Sequence, residues 1–190
     1  MKIGLFFGSF NPIHIGHLAI ANIMVESADL EQVWFVVSPQ SPLKKITGLA
    51  HEFDRFDMVE AAIYDNPKLR ASNIEFNMPK PSYTVDTLAY LADKYPQHSF
   101  SLIIGEDNLK SFPKWKNYSN ILDQYGLYVY PRPNTNISEL KDHSSVKWIK
   151  APLFDISATF IRNLLRENKS IKYLVPDSVI EMIISRKLYL

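Results

Sequence analysis

Apolar positions along the chain follow two patterns, continuous runs and helical spacing. Ile3 to Phe7 and Val33 to Val37 are continuous apolar runs, which predict buried strands, and His14 to Ser27 between them has the spacing of a helix. Short apolar segments of the same kind predict further strands at 71–76, 100–104, 127–130 and 146–149. It predicts further helices at 53–64, 84–95, 158–167 and 177–186. Because strands that alternate with helices form parallel sheets, we predict an α/β fold with helices on both faces of a mainly parallel sheet.

A single domain is expected to span residues 1–190. About 100 to 200 residues per domain is usual, and 46% of the residues are hydrophobic, which is enough to fill a core. Prolines fall between the periodic segments, and no internal repeat or low-complexity linker divides the chain. The helical segments from about residue 157 onward are expected to pack on this domain.

Charge and cysteine content exclude several classes of function. With 21 Lys and Arg against 20 Asp and Glu, the net charge of +1 leaves no broad basic field for nucleic acid or an anionic membrane surface. The absence of cysteine excludes disulfides, thiolate nucleophiles and Cys-built metal sites. We find neither a membrane-spanning apolar run nor a signal peptide, so we expect a soluble cytoplasmic protein. The sequence leaves the oligomeric state open, a homodimer included.

The turn after the first predicted strand has the features of an anion site. The six glycines form neither a G-x-G pair nor a P-loop, and the strand instead runs through Gly8-Ser9-Phe10 into a helix. Free N–H groups and the helix dipole favour a phosphate at such a junction. His14 and His17 share one face of the first helical turn, so both imidazoles are expected to point at that phosphate. By themselves, these features also fit an ordinary helix start with surface histidines, or a metal-binding pair.

Two motifs resemble the signatures of one superfamily. G-S-F-N-P-I-H-I-G-H at 8–17 resembles the H-x-G-H active-site motif of the nucleotidyltransferase superfamily of Rossmann-like adenylyltransferases and cytidylyltransferases. I-S-A-T-F-I-R at 156–162 resembles that superfamily's second signature, whose Ser and Arg hold the triphosphate of ATP. Alone, the second motif also fits a simply capped amphipathic helix. Together, the two motifs imply the Rossmann-like, doubly wound fold of adenylyltransferases.

The middle of the chain resembles the bacterial nicotinate mononucleotide adenylyltransferases. P-S-Y-T-V-D-T at 81–87 is similar to a segment of that family, and the amides of Tyr83 and Thr84 at this helix start could receive the nicotinate carboxylate. G-E-D at 105–107 and F-P-K-W at 112–115 resemble the family's G-x-D and L-P-x-W elements. In the family, the Asp meets ribose hydroxyls and the Trp stacks on the pyridine ring, roles that would fall to Asp107 and Trp115. A capped helix and a core tryptophan are the alternative interpretations.

Basic residues in two predicted loops extend the resemblance. Lys44 and Lys45 lie where the family carries a basic pair, and Arg132 matches the R-P that follows the family's fifth strand. The resemblance implies that these residues face the substrate phosphate, whereas solvated loop charge is the alternative interpretation.

The resemblance implies an enzyme of NAD biosynthesis that transfers AMP from ATP to nicotinate mononucleotide, giving nicotinic acid adenine dinucleotide and pyrophosphate. It implies Mg²⁺ bound mainly through the ATP phosphates, without a metal site built from side chains. The implied catalytic residues are His14, His17 and Arg162. The implied ATP-binding residues are Gly8, Ser9, Phe10, His17, Gly105, Asp107, Ser157, Thr159 and Arg162. The implied residues for nicotinate mononucleotide are Lys44, Lys45, Ser82, Tyr83, Thr84, Trp115 and Arg132. Alternatives are an adenylyltransferase for the amide mononucleotide or phosphopantetheine, and a non-catalytic nucleotide-binding regulator.

Overall fold

The computed structural model describes residues 1–40, 48–133, 135 and 138–189. The strands in these residues are β1 (Lys2–Gly8), β2 (Gln32–Val37), β3 (Leu69–Ser72), β4 (Ser99–Gly105), β5 (Leu127–Tyr130) and β6 (Val146–Trp148). The helices are α1 (Ile15–Ser27), α2 (Glu52–Ile63), α3 (Thr84–Lys94), α4 (Glu106–Ser111), α5 (Tyr118–Gln124), α6 (Ala158–Arg166) and α7 (Asp177–Ser185). The strands form one parallel sheet in the order β3-β2-β1-β4-β5-β6, which confirms the predicted doubly wound α/β fold.

Apolar side chains cover both faces of the sheet. Successive residues of a strand point to opposite faces. Phe35 of β2 therefore belongs to one buried cluster with Met58 of α2, and Trp34 belongs to a second cluster with Leu88 of α3. Strands that are buried on both faces are apolar throughout, which is why β1 and β2 are continuous apolar runs in the sequence.

Helices α6 and α7 pack on the same face of the sheet as α1 and α2. Ile161 and Val179 are fully buried in the cluster that contains Phe35. The Ser178 hydroxyl donates to the Ala61 carbonyl at 3.0 Å, which ties α7 to α2. These contacts bring the second motif of the sequence, at 156–162, next to the turn that follows β1.

The strand predicted at 71–76 has the wrong bounds, since only Ala71 and Ser72 of that segment lie in β3. β3 pairs with β2 from Val33 opposite Leu69 to Val36 opposite Ser72, and Val37, the last residue of β2, has no partner in β3. The chain then forms a 3₁₀ turn over Ile74–Asn77. Sequence periodicity also missed α4 and α5, because helices of six and seven residues are too short to show a helical period.

Candidate active site

The strand order creates a crevice at the carboxyl ends of β1 and β4. The chain leaves these neighbouring strands in opposite directions, so the loops that follow them diverge. A cavity of about 430 Å³ occupies this place. It brings together predicted site residues from distant parts of the sequence: Gly8, Ser9, Phe10, His14, His17, Gly105, Asp107, Trp115, Arg132, Ser157, Thr159 and Arg162.

The turn between β1 and α1 folds around the Phe10 side chain. Phe10 has a φ of 43°, in the left-handed region that a non-glycine residue adopts at a cost. Its ring is 2% exposed and lies so close to Gly8 that a Cβ there would be 2.8 Å from the ring. The same ring packs edge-to-face against His17, with centroids 5.1 Å apart. Phe10 therefore supports the His17 imidazole from within the core, and position 8 accepts only glycine without a shift.

The two histidines of the motif are stacked on each other. Their ring centroids are 3.6 Å apart at an interplanar angle of 25°. His14 is the N-cap of α1, and its backbone N–H donates to Nδ1 of His17 at 3.3 Å. This bond leaves Nε2 of His17 as the nitrogen that carries its proton in the neutral ring. The structure thus brings the two imidazoles together on one face, as the spacing predicted.

His14 is held in its uncharged form. Its side chain is 5% exposed, and Nδ1 is buried without a hydrogen-bond partner among the described residues. Burial, and to a smaller extent the positive charge of Arg132, lower the pKa of His14 to about 4. A neutral imidazole offers one donor and one acceptor, so His14 can donate a hydrogen bond to a phosphate oxygen at neutral pH.

Arg162 reaches from α6 to the β1–α1 turn. Its guanidinium donates to the Asn11 carbonyl at 2.8 Å and to the Thr159 hydroxyl at 3.2 Å. Ser157 caps α6, because its hydroxyl accepts from the Phe160 N–H at 3.2 Å. The predicted helix cap is therefore real, and it places Ser157, Thr159 and Arg162 on the cavity wall.

The ends of β4 and β5 supply the opposite wall. Arg132 lies 3.7 Å from an Asp107 carboxylate oxygen, and its backbone N–H donates to Glu106 at 3.3 Å. A Cβ on Gly105 would lie 2.4 Å from Asp107 and 3.1 Å from the Arg132 side chain. Glycine at this position lets the two charged side chains meet at the crevice.

A second cavity of about 230 Å³ adjoins the first. Ser82, Tyr83 and Thr84 line it at the start of α3, and Trp115 lines both cavities. The first N–H groups of a helix have no acceptor within it, and Tyr83 is the N-cap of α3. This cavity therefore combines an aromatic side chain with helix-terminal amides, as predicted.

Sequence reasoning missed Arg55, which is fully buried in α2. Its guanidinium donates to four backbone carbonyls, those of Ser9 at 2.6 Å, Ser38 at 2.8 Å, Ala50 at 2.9 Å and Pro39 at 3.1 Å. It thereby fastens the turn after β1 to the loop after β2. The signal in the sequence was an arginine on the same helical face as Met58 and Val59.

Asn11 was also missed, because it was interpreted only as part of a helix start. It is 4% exposed, its amide donates to the Gly48 carbonyl at 2.9 Å, and its side-chain oxygen accepts from the Ala50 N–H at 3.0 Å. Its own carbonyl accepts from Arg162. Asn11 thus joins three segments around the first cavity.

Two of the predicted residues, Lys44 and Lys45, lie outside the described part of the chain.

Within residues 1–40, 48–133, 135 and 138–189, no group of three His, Asp or Glu side chains is placed to hold a metal ion. No helix in these ranges is long and apolar enough to span a membrane.

Comparisons with known proteins agree with this geometry. The model of the cytidylyltransferase-like family matches residues 5–164. A probable nicotinate-nucleotide adenylyltransferase of Cytophaga hutchinsonii is 66% identical over 100% of this chain and 98% of its own length. A second, of Flavobacterium psychrophilum, is 54% identical over 94% of each chain. The structure of Plasmodium falciparum nicotinic acid mononucleotide adenylyltransferase complexed with NaAD superposes with a TM-score of 0.84 at 21% identity, covering 99% of this chain and 97% of that one. The chain therefore belongs to the cytidylyltransferase-like family and, within it, to the nicotinate-nucleotide adenylyltransferases.

Proposed function

We propose that this protein transfers the AMP group of ATP to nicotinate mononucleotide, giving nicotinic acid adenine dinucleotide and pyrophosphate in NAD biosynthesis. The observation that carries the proposal is the pair of adjoining cavities at the carboxyl ends of β1 and β4. The larger one is lined by two histidines and two arginines, which suit a triphosphate. The smaller one has a helix start beside an aromatic ring, which suits a pyridine carboxylate.

The proposed reaction needs no general base. The second pKa of a phosphate monoester is about 6, so the attacking oxygen of the mononucleotide is already ionised at neutral pH. That oxygen forms a bond to the α-phosphorus of ATP, and the bond from the α-phosphorus to the bridging oxygen breaks to release pyrophosphate. Catalysis then consists of in-line positioning and of neutralising charge at the α-phosphate, without a covalent intermediate.

His14, His17 and Arg162 are proposed to act on the phosphates. The uncharged His14 donates a hydrogen bond, while the Arg162 guanidinium supplies positive charge. The turn Gly8-Ser9-Phe10, which lies between β1 and α1, would offer further backbone N–H groups. The remaining proposed ATP-binding residues are Gly105, Asp107, Ser157 and Thr159, all on the wall of the larger cavity.

Mg²⁺ is proposed to arrive with the ATP phosphates. Mg²⁺ is commonly held by phosphates and water, which is the mode that the resemblance implies. When bound, Mg²⁺ neutralises part of the triphosphate charge. Asp107, on the cavity wall, keeps the role toward ribose hydroxyls that the resemblance implies.

Nicotinate mononucleotide is proposed to bind in the smaller cavity. Its carboxylate would meet the backbone amides of Tyr83 and Thr84 beside Ser82, and its pyridine ring would stack on Trp115. Arg132 lies on the larger cavity, close to where the phosphate of this substrate must meet ATP. Lys44 and Lys45, which lie outside the described residues, are also proposed to bind this phosphate, as the resemblance implies.

Product formation from purified protein tests the proposal. The protein is mixed with Mg-ATP and either nicotinate mononucleotide or its amide analogue, and the dinucleotide products are separated by chromatography. We expect fast formation of nicotinic acid adenine dinucleotide and of one pyrophosphate per dinucleotide. Absence of product from both mononucleotides, with ATP binding intact, would instead support a non-catalytic nucleotide binder.

A further inference from the structure

A buried carboxyl group lies beneath the start of α3. Glu75, in the 3₁₀ turn after β3, is 2% exposed and lines the smaller cavity together with Ser82, Tyr83 and Thr84. One of its oxygens, Oε1, lies 2.7 Å from the hydroxyl of the fully buried Thr87. The other, Oε2, is buried and meets no hydrogen-bond partner among the described residues. No step of the proposed reaction uses this group.

The surroundings of Glu75 favour its uncharged form. Burial raises its pKa, and the nearby hydroxyls of Thr87, Ser82 and Ser38, of which only that of Thr87 lies within hydrogen-bond distance, counteract this only in part. None of the described groups that act on this carboxyl is a cation. The other titratable groups that line the cavity are Tyr83, Lys114 and Lys116. Lys116 is already paired with Asp86 at 2.8 Å, and its ammonium lies over the Tyr83 ring.

The hydrogen bonds link Glu75 to the helix start. The Thr87 hydroxyl has a single proton but lies near two oxygens, Oε1 of Glu75 at 2.7 Å and the Tyr83 carbonyl at 3.3 Å. A protonated Glu75 satisfies both contacts, because it donates to Thr87 while Thr87 donates to Tyr83. An ionised Glu75 would accept the hydrogen bond of the Thr87 hydroxyl and leave the Tyr83 carbonyl without that donor. The Tyr83 carbonyl also accepts from the N–H groups of Asp86 at 3.0 Å and Thr87 at 3.1 Å, so the neutral carboxyl lets the Thr87 hydroxyl add a third donor to the helix start.

We propose that Glu75 is a positioning residue that determines the preference for an acid over an amide on the pyridine ring, a role that rests on the function proposed above. As a neutral carboxyl, it supports the helix start at Tyr83 through Thr87 and places no negative charge beside the substrate carboxylate. An ionised carboxyl in the same position would repel a carboxylate but not an uncharged carboxamide. The pocket thus obtains its anion preference from a glutamate that stays protonated.

Kinetics with both mononucleotides test this role. The measured quantity is the ratio of kcat/KM for nicotinate mononucleotide to kcat/KM for the amide at pH 7, in which effects on the shared phosphate and on ATP cancel. Glu75→Ala should raise the KM for the acid at least tenfold with kcat within threefold. Glu75→Gln, which is neutral and of the same shape, should restore the wild-type ratio to within threefold. Glu60→Gln, on the exposed face of α2, is the matched control and should change nothing.

A second variant and an NMR measurement test the role of Glu75 independently of Glu75→Ala. If Glu75→Ala does not fold, Thr87→Val removes the link to Tyr83 and should itself raise the KM for the acid. The ¹³C carboxyl resonance of Glu75, assigned by its loss in Glu75→Gln, should be that of a protonated acid at pH 7 with nicotinate mononucleotide bound. An ionised resonance, a tenfold change of the ratio in Glu75→Gln, or an unchanged KM in Thr87→Val would each overturn the inference. Failure of the wild-type protein to make either dinucleotide would refute the proposed function instead, and the resonance stays measurable without turnover.

Discussion

His14→Asn should change how the stability of the protein depends on pH. The pKa of His14 is about 4 in the folded protein, against 6.5 for an exposed histidine. Below pH 6.5 the unfolded chain therefore binds a proton at this position that the folded protein binds only near pH 4. The stability contributed by the buried neutral ring is fully present above pH 6.5 and is lost as the pH falls toward 4. From these two pKa values, the loss attributable to His14 between pH 7 and pH 5 is about 2 kcal/mol.

Urea denaturation at pH 7 and pH 5 measures this effect. Asparagine is a good N-cap residue, so the variant should keep α1 capped while lacking the titrating ring. All other groups titrate in both proteins, so the difference between wild type and His14→Asn isolates the histidine. We expect the wild-type protein to lose about 2 kcal/mol more than the variant on acidification, with equal m-values. Equal losses in both proteins would refute the assignment of a buried, uncharged His14.

Three further predictions concern the site. His17→Ala should lower kcat by about a hundredfold or more while the KM for ATP stays within threefold, because the proposed contact strengthens in the transition state; unchanged turnover would contradict it. Trp115→Ala and Arg132→Ala should raise the KM for nicotinate mononucleotide by about fivefold or more, and equal effects on ATP would exclude their assignment to this substrate. Arg55→Met should destabilise the protein by at least about 3 kcal/mol in urea denaturation, because four carbonyls lose their donor. Arg70→Met should cost only about 1 kcal/mol, because the exposed Arg70 loses only its contact over the Trp34 ring, 4.5 Å from the ring centroid.

The sequence predicted the sheet well because burial on both faces leaves a strong local signal. β5 has the predicted bounds, Leu127–Tyr130, and α6 and α7 each end within one residue of the prediction. The predicted bounds failed at 71–76, because β3 pairs with β2 only over Leu69–Ser72. Pairing partners are separated in sequence, so a local pattern does not contain this information.

The candidate site likewise contains residues that the sequence predicted and residues that it did not. His14, His17, Ser157 and Arg162 were identified because they belong to compact motifs, and the structure places all four on one cavity. Arg55 and Asn11 were missed because their role consists of bonds to backbone carbonyls that are distant in sequence.

Glu75 was hidden for a related reason. A glutamate is usually exposed, and here the turn after β3 carries it inside. Its contact with Thr87 depends on how that turn meets α3, which neither segment encodes alone.

The four bonds of Arg55 also bear on how the protein folds. The guanidinium collects carbonyls from the turn after β1, the loop after β2 and the residue two positions before α2. These bonds can form only when β1 and β2 have paired and α2 has docked, so a chain that has not yet built this half of the sheet lacks the final shape of the turn after β1. Enzymatic activity should therefore return during refolding only after β1 has paired with β2 and α2 has docked, and not with the first appearance of helix.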